Sequence, residues 1–232
     1  MISKQEIIFI ILASLVLGYS FALFKGITWS IFFYYILLFL ITLIINTAVK
    51  KITAYKLGCN VNIKLIKLKR FGFQEHFKFK RAIPLWLILP ILIALVSLGN
   101  LFYLGIMSYD IEVIKRRIIK KFEQVDDFDI AKISYFGILS HQLMALIFMS
   151  FGYNTFAYLN AWFALFSLIP LFDLDGMKIF FGSRILFVFA VVSSLAIIIL
   201  MGVFSPILSF VFALFLAIAS VIVYYINEFG YP

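Results

Sequence analysis

The chain has 232 residues, of which 65% are hydrophobic and 13% are charged, whereas soluble domains average roughly 45–50% apolar and 25% charged residues. This composition excludes an ordinary soluble domain and predicts an all-α polytopic membrane protein with one membrane domain over residues 1–232. The net charge of +9 does not indicate a nucleic-acid partner, because basic residues of membrane proteins collect in their cytoplasmic loops.

Seven apolar windows approach the length that crosses a hydrocarbon core of about 30 Å. They cover about 6–24, 28–49, 84–107, 131–151, 155–171, 185–202 and 207–226. Pro84, Pro90 and the break at Leu98-Gly99-Asn100 interrupt the third window, and prolines break helices. We therefore expect residues 84–107 to form a re-entrant segment, or an extra hydrophobic one, beside six transmembrane helices.

The basic residues orient this layout. Residues 50–82 contain ten Lys and Arg residues against one Glu, and residues 108–132 contain a second basic group. A re-entrant 84–107 segment puts both groups on the cytoplasmic side, as the positive-inside rule requires. Both termini are then cytoplasmic.

A short β-structure is expected between the second helix and the re-entrant segment. Val61, Ile63 and Leu65 alternate with polar residues, and a second alternation runs over residues 71–80. Alternation at period two is typical of strands, so we predict a β-hairpin on the cytoplasmic face. The alternative is a basic aromatic segment among anionic lipid headgroups.

The chain then divides into consecutive parts. These are residues 1–58 with the first two spans, 59–82 as a basic strand-like loop, 83–130 with the re-entrant segment and a charged loop, 131–182 with two further spans, and 183–232 with the last two.

A carboxylate lies at the end of one predicted span, in the sequence Ser167-Leu-Ile-Pro-Leu-Phe-Asp-Leu-Asp175-Gly. Charged groups at membrane depth cost roughly 2.5–3.5 kcal/mol and therefore indicate function. The stretch resembles the Asn-x-x-Pro-x-x-x-Leu-Asp-Gly motif of the site-2 proteases, which are intramembrane zinc metalloproteases. Pro170, Leu174, Asp175 and Gly176 match the motif, and Ser167 stands at its Asn.

The resemblance implies that Asp175 is a zinc ligand, with two further ligands from a His-Glu-x-x-His motif on an earlier helix. Registered on Gly58-Cys59, that motif falls on Asn46, Thr47 and Lys50. Both histidines and the glutamate base are thus replaced, and no catalytic position is intact. Because a catalytic zinc generally needs three protein ligands, we expect no cofactor.

Lys50 would then face Asp175, and we predict that a salt bridge between them replaces the metal. In the alternative, Asp175 is a helix cap in water. Metal binding by substitute ligands would require His141 or Asp173 beside Asp175. A lone histidine in a membrane helix is more often hydrogen-bonded to a neighbouring helix.

The expected function is that of a catalytically inactive pseudoprotease that binds or sequesters transmembrane segments of other membrane proteins. Its partners are then membrane lipids and those segments, and the resemblance implies the cell membrane of a prokaryote as its location. One alternative is an active intramembrane zinc metalloprotease with atypical ligands. Another is a component of a transporter or channel, since ionisable groups inside a helix bundle also mark transport pathways.

Overall fold

The computed structural model describes residues 2–25, 28–70, 78–113 and 125–230. The helices of this part are α1 Lys4–Lys25, α2 Trp29–Lys56, α3 Leu85–Val96, α4 Asp127–Ser150, α5 Asn154–Ser167, α6 Asp175–Gly182, α7 Arg184–Leu200 and α8 Pro206–Phe229. The strands are β1 Cys59–Leu65, β2 Leu68–Arg70, β3 Lys78–Ile83 and β4 Met107–Val113.

Four of the described helices, α1, α2, α4 and α8, are long and apolar enough to cross a membrane. The helices α5 and α7 occupy the other two predicted windows, but they have only 14 and 17 residues. At a rise of 1.5 Å per residue, α5 is about 21 Å long, which is shorter than the hydrocarbon core. The fold is therefore that of a helical membrane protein with helices of unequal length.

The start of α1 is defined by a reciprocal capping arrangement. The Ser3 backbone N–H donates to Glu6 Oε2 at 2.6 Å, and the Glu6 N–H donates to Ser3 Oγ at 3.3 Å. This is the pattern expected of a Ser-x-x-Glu sequence at a helix start. Glu6 is itself buried, so the same residue also fixes where α1 lies against the rest of the chain.

The strands pair differently from the predicted hairpin. Val61 and Ile63 of β1 lie opposite Ile111 and Tyr109 of β4, in an antiparallel pair of strands distant in sequence. A second antiparallel pair joins β2 to β3, while residues 71–77, the first part of the second alternation, lie outside the described residues. A small antiparallel pair in the predicted region is thus confirmed for β2 and β3. The placement of residues 61–65 in that pair is wrong, because the buried face of β1 packs with the buried Tyr109 of β4.

Both ends of the apolar segment that contains α3 are hydrogen-bonded to the same residue, Ile66, between β1 and β2. The N–H of Ile66 donates to the carbonyl of Ile106 at 3.1 Å, and the Ile66 carbonyl accepts the N–H of Trp86 at 3.1 Å. Leu98 and Gly99 turn the chain after α3 with φ angles of 51° and 77°. The segment from 84 to 106 therefore leaves and returns at the same place in the fold.

Two apolar clusters position the candidate site. The largest packs α1 and α2 against α5 and the returning chain, with Phe39, Leu104 and Ile106 fully buried. A second places the β1–β4 sheet on Ala54 of α2 and Ile133 of α4. The end of α2, the start of α4 and strand β4 consequently meet next to α6.

Candidate functional site: a buried ion pair between α2 and α6

Lys50 of α2 and Asp175 of α6 form a buried ion pair. Lys50 Nζ donates to Asp175 Oδ2 at 2.7 Å, and the two side chains are only 5% and 4% exposed. The residues are far apart in sequence, so the pair joins two helices. The structure therefore brings together the two charged residues that the motif alignment places opposite each other, and it puts Asp175 out of water.

Local backbone structure places the carboxylate. Asp175 is in the first turn of α6, where the partial positive charge of the helix N-terminus favours an anion. A Cβ at Gly176 would overlap the backbone carbonyl of Leu168, so glycine lets the preceding loop fold back onto α6. Phe172 and Asp173 in that loop have φ angles of 52° and 69°, a strained conformation that non-glycine residues seldom adopt.

The helix α2 presents Asn46, Thr47 and Lys50 on one buried face, as residues at i, i+1 and i+4 do. Asn46 Nδ2 donates to the carbonyl of Gly137 at 2.8 Å. A Cβ at Gly137 would overlap Cε of Lys50. Glycine at this position of α4 therefore gives the lysine side chain its path to Asp175.

Two oxygen atoms of the site lack partners. Thr47 Oγ1 and Asp175 Oδ1 are buried and have no hydrogen-bond partner among the described residues. Most buried polar groups in proteins are hydrogen-bonded, so each exception needs a specific explanation. The Lys50 pair is thus a polar site held together mainly by one charge-assisted hydrogen bond.

Tyr109 of β4 separates this pair from a second group of charges. Its ring centroid lies 5.3 Å from Lys50 Nζ and 3.7 Å from Lys178 Nζ, and aromatic faces attract cations at such distances. Its hydroxyl donates to the carbonyl of Ile130 at 3.1 Å and contacts Ser134 Oγ at 2.5 Å. Burial, together with the nearby Asp175 carboxylate, raises the pKa of Tyr109 well above its usual value, so the ring stays neutral.

The second group of charges is centred on Asp173. Its Oδ2 lies 2.6 Å from Lys64 Nζ, its Oδ1 lies 3.4 Å from Lys178 Nζ, and Ser108 Oγ donates to Oδ2 at 3.0 Å. Burial raises the pKa of Asp173, but the ammonium groups of Lys178 and Lys64 outweigh it and hold the pKa below its ordinary value. Positive and negative charges therefore alternate from the buried pair towards the surface.

Lys178 is the most perturbed cation of that outer group. Its Nζ donates to the carbonyl of Tyr109 at 2.7 Å and to Ser108 Oγ at 2.9 Å. Burial lowers the pKa of Lys178 to about 8, although the carboxylates of Asp173 and Asp175 oppose that shift.

The two weaker metal-ligand candidates do not join Asp175 in a cluster. His141 is buried, stacks on Phe163 with ring centroids 4.6 Å apart, and has Nδ1 3.4 Å from Asn160 Oδ1. Asp173 is held by Lys64 and Lys178. Within the described residues, no group of three or more His, Cys, Asp or Glu side chains is placed to hold a metal ion.

The remaining motif residues support the loop before α6. Ser167 and Leu174 are buried, and Leu174 packs with Ile66 and Leu85. Pro170 is exposed and lines an apolar groove between α5 and α7. The motif thus forms the turn that carries Asp175.

The sequence patterns did not identify two residues that contribute to the site, Tyr109 and Glu6. Tyr109 reaches the site only through the pairing of β1 with β4, for which no local pattern exists. Glu6 was detectable as the end of a Ser-x-x-Glu capping sequence. Its Oε1 lies 2.8 Å from Lys51 Nζ and accepts the Ile63 N–H at 3.0 Å, which ties α1 to α2 and β1 beside the site.

No protein-family model, curated protein or solved structure matches the chain. The resemblance to site-2 proteases therefore rests on the motif residues alone.

Proposed function

We propose that this protein is a non-proteolytic membrane protein with a site-2 protease-like arrangement, in which the Lys50–Asp175 ion pair replaces the zinc centre. The observation that carries the proposal is the 2.7 Å contact between the Lys50 ammonium and Asp175. An ammonium group has no lone pair to give a metal and repels a cation. With threonine at position 47, the general base that would activate a zinc-bound water is also replaced.

The proposed membrane layout has six crossing helices, α1, α2, α4, α5, α7 and α8. The segment from 84 to 106 dips into the membrane and returns. Its two ends meet at the backbone of Ile66, which supports return to the side of entry. Irregular backbone is tolerated at membrane depth where protein surrounds it, and the returning residues Leu104 and Ile106 are fully buried.

The proposed activity is binding of transmembrane segments from other membrane proteins. An apolar groove of about 360 Å³ lies between α5 and α7, lined by residues that include Phe166, Ile169, Pro170 and Phe187. Leu168 lines the same groove, and its backbone packs directly on Gly176. An apolar helix seated there would end beside the polar site, where a locally unwound backbone finds hydrogen-bonding groups.

The loss of zinc is tested by metal analysis of the purified protein. We expect zinc well below one equivalent, unchanged by Asp175→Asn, and no cleavage of a transmembrane peptide substrate. Stoichiometric zinc that disappears in Asp175→Asn would overturn the pseudoenzyme assignment and establish a metalloprotease with atypical ligands.

Binding of transmembrane segments is tested separately. A photo-reactive phenylalanine is placed at Phe187 in the groove, with Phe215 on the exposed side of α8 as the matched control. The probe is a Leu/Ala transmembrane peptide with a central Asn-Pro pair, compared with the same peptide carrying Leu-Leu. We expect crosslinking from Phe187 to exceed that from Phe215 and to favour the Asn-Pro peptide. Equal crosslinking yields from both positions would refute binding of the peptide in this groove.

A further inference from the structure

A second cavity, of about 740 Å³, is lined by the end of β1, the start of β2 and parts of α1, α3 and the loop before α6. Its apolar wall includes Phe9 and Leu12 of α1, Trp86 of α3 and Phe172 of the loop before α6. Phe9 and Leu12 stand about 8–12 Å along α1 from its first residue at 1.5 Å per residue. Because α1 is of membrane length, these two side chains lie below the helix end at the depth of the acyl chains.

The polar wall of the same cavity is basic. It contains Lys64, Lys67 and Lys69, against one carboxylate, Asp173. Lys64 is neutralised by Asp173 at 2.6 Å and by Asp110 at 2.5 Å. Lys67 and Lys69 are exposed, and neither has an ion-pair partner within the described part of the chain. Among the described residues, two positive charges without an ion-pair partner therefore line the cavity.

The spacing of these two lysines suits a phosphate group. They flank Leu68, both line the cavity, and their Cα atoms can lie no more than about 7 Å apart. Two ammonium groups at that separation can each donate to a different oxygen of one phosphodiester, and lysine binds phosphate as a compact point charge. Lys64 is already paired with two carboxylates, so two lysines remain for the headgroup, and a singly charged phosphodiester fits them better than a polyanion.

We propose that this cavity is a binding site for one anionic glycerophospholipid. Its phosphate contacts Lys67 and Lys69, and one acyl chain lies against Phe9, Leu12 and Trp86. The cavity is far larger than a free phosphate needs, and only a lipid explains an apolar wall continuous with the outer face of α1. This site is separate from the Lys50–Asp175 pair and does not depend on the function proposed for that pair.

The test uses Trp86 as the reporter. The chain has three tryptophans, and Trp29→Phe with Trp162→Phe leaves only Trp86. The protein is reconstituted with brominated phosphatidylglycerol or brominated phosphatidylcholine, whose bromine atoms quench a tryptophan that they contact. With about a fivefold gain in affinity from each lysine, we expect selectivity of about twenty-five-fold for the anionic lipid.

The matched variants decide between a site and general attraction to a negative surface. Lys67→Gln/Lys69→Gln should abolish the selectivity. Lys80→Gln/Arg81→Gln removes the same charge from exposed positions of neighbouring β3, and should leave it unchanged. Glycerol 3-phosphate, which lacks acyl chains, should not relieve the quenching.

Three results would overturn the proposal. Equal quenching by both lipids excludes a phosphate-selective site. Equal loss of selectivity in the two double variants indicates surface adsorption only. Relief of quenching by glycerol 3-phosphate indicates a site for a soluble phosphate instead. If the double tryptophan variant does not fold, lipid retained by the wild-type protein and by the two lysine variants is compared by native mass spectrometry.

Discussion

Replacing Lys50 with methionine is expected to destabilise the fold strongly, because it leaves the Asp175 carboxylate buried without a counter-ion. Methionine has nearly the length of the lysine stem, so the packing against Gly137 is retained and the effect reports on charge. The carboxylate is 4% exposed, and its other oxygen has no hydrogen-bond partner among the described residues. Solvent therefore cannot screen the charge of the Asp175 carboxylate once Lys50 is removed.

The expected loss is about 3–5 kcal/mol of unfolding free energy, the range for removing one member of a buried pair. Removing both charges in Lys50→Met/Asp175→Leu should recover most of that loss, because an apolar pair of similar volume is often as stable as a buried ion pair. The matched control is Arg184→Met. Arg184 lies 3.8 Å from Glu228 with side chains 66% and 48% exposed, and exposed pairs contribute only about 0–1 kcal/mol.

Denaturant titration in mixed micelles gives the free energy of unfolding of five proteins: the wild type, Lys50→Met, Asp175→Leu, the double variant and Arg184→Met. A double-mutant cycle over Lys50 and Asp175 gives the coupling energy directly. Two results would refute the reasoning. One is that Lys50→Met lowers the free energy of unfolding no more than Arg184→Met does, and the other is that the double variant is less stable than Lys50→Met.

Three further changes probe the surroundings of the pair. Tyr109→Phe should cost about 1–3 kcal/mol of unfolding free energy, because it strands the buried Ser134 hydroxyl. Gly176→Ala should lower the free energy of unfolding by at least the same amount and disturb the turn before Asp175, since the new Cβ would overlap the Leu168 carbonyl. Thermal unfolding measures this loss. Lys178, whose pKa is lowered to about 8, should make stability rise between about pH 8 and pH 10, because the unfolded chain there holds the proton that the folded chain has released. Lys178→Met should flatten that rise in unfolding free energy.

The controls for these changes come from the same chain. Gly202→Ala places a Cβ no nearer than 3.5 Å to another atom and should be nearly neutral. Ser134→Ala combined with Tyr109→Phe should cost less than the sum of the two single changes, because the stranded hydroxyl is gone. A pH profile that is identical with and without Lys178 would show that burial does not shift its pKa.

The helical part of the fold and the residues of the ion pair follow from local patterns. Apolar windows predict where α1, α2, α4 and α8 lie, and positions i, i+1 and i+4 predict one shared face for Asn46, Thr47 and Lys50. The motif register selects Lys50 as the residue opposite Asp175. None of this requires knowledge of contacts between distant segments.

The strand pairing and the outer charges could not be read in the same way. The strand β1 pairs with β4 because that pairing buries Tyr109 of β4 against β1. The alternation within residues 59–82 contains no information about this distant strand. The positions of Tyr109, Lys178 and Ser108 all depend on that pairing. The helix α5 likewise ends at Ser167, before the apolar window does, because the chain turns there into the loop that carries Asp175.

The central claim is that Lys50 and Asp175 occupy the place of a zinc centre. It is tested most directly by zinc analysis of the Asn46→His/Thr47→Glu/Lys50→His variant, which restores a His-Glu-x-x-His sequence on the face of α2 that meets Asp175. We predict one equivalent of bound zinc in this variant, lost when Asp175→Asn is added. A folded variant that binds no zinc, or binds it equally well without the Asp175 carboxylate, would contradict the claim.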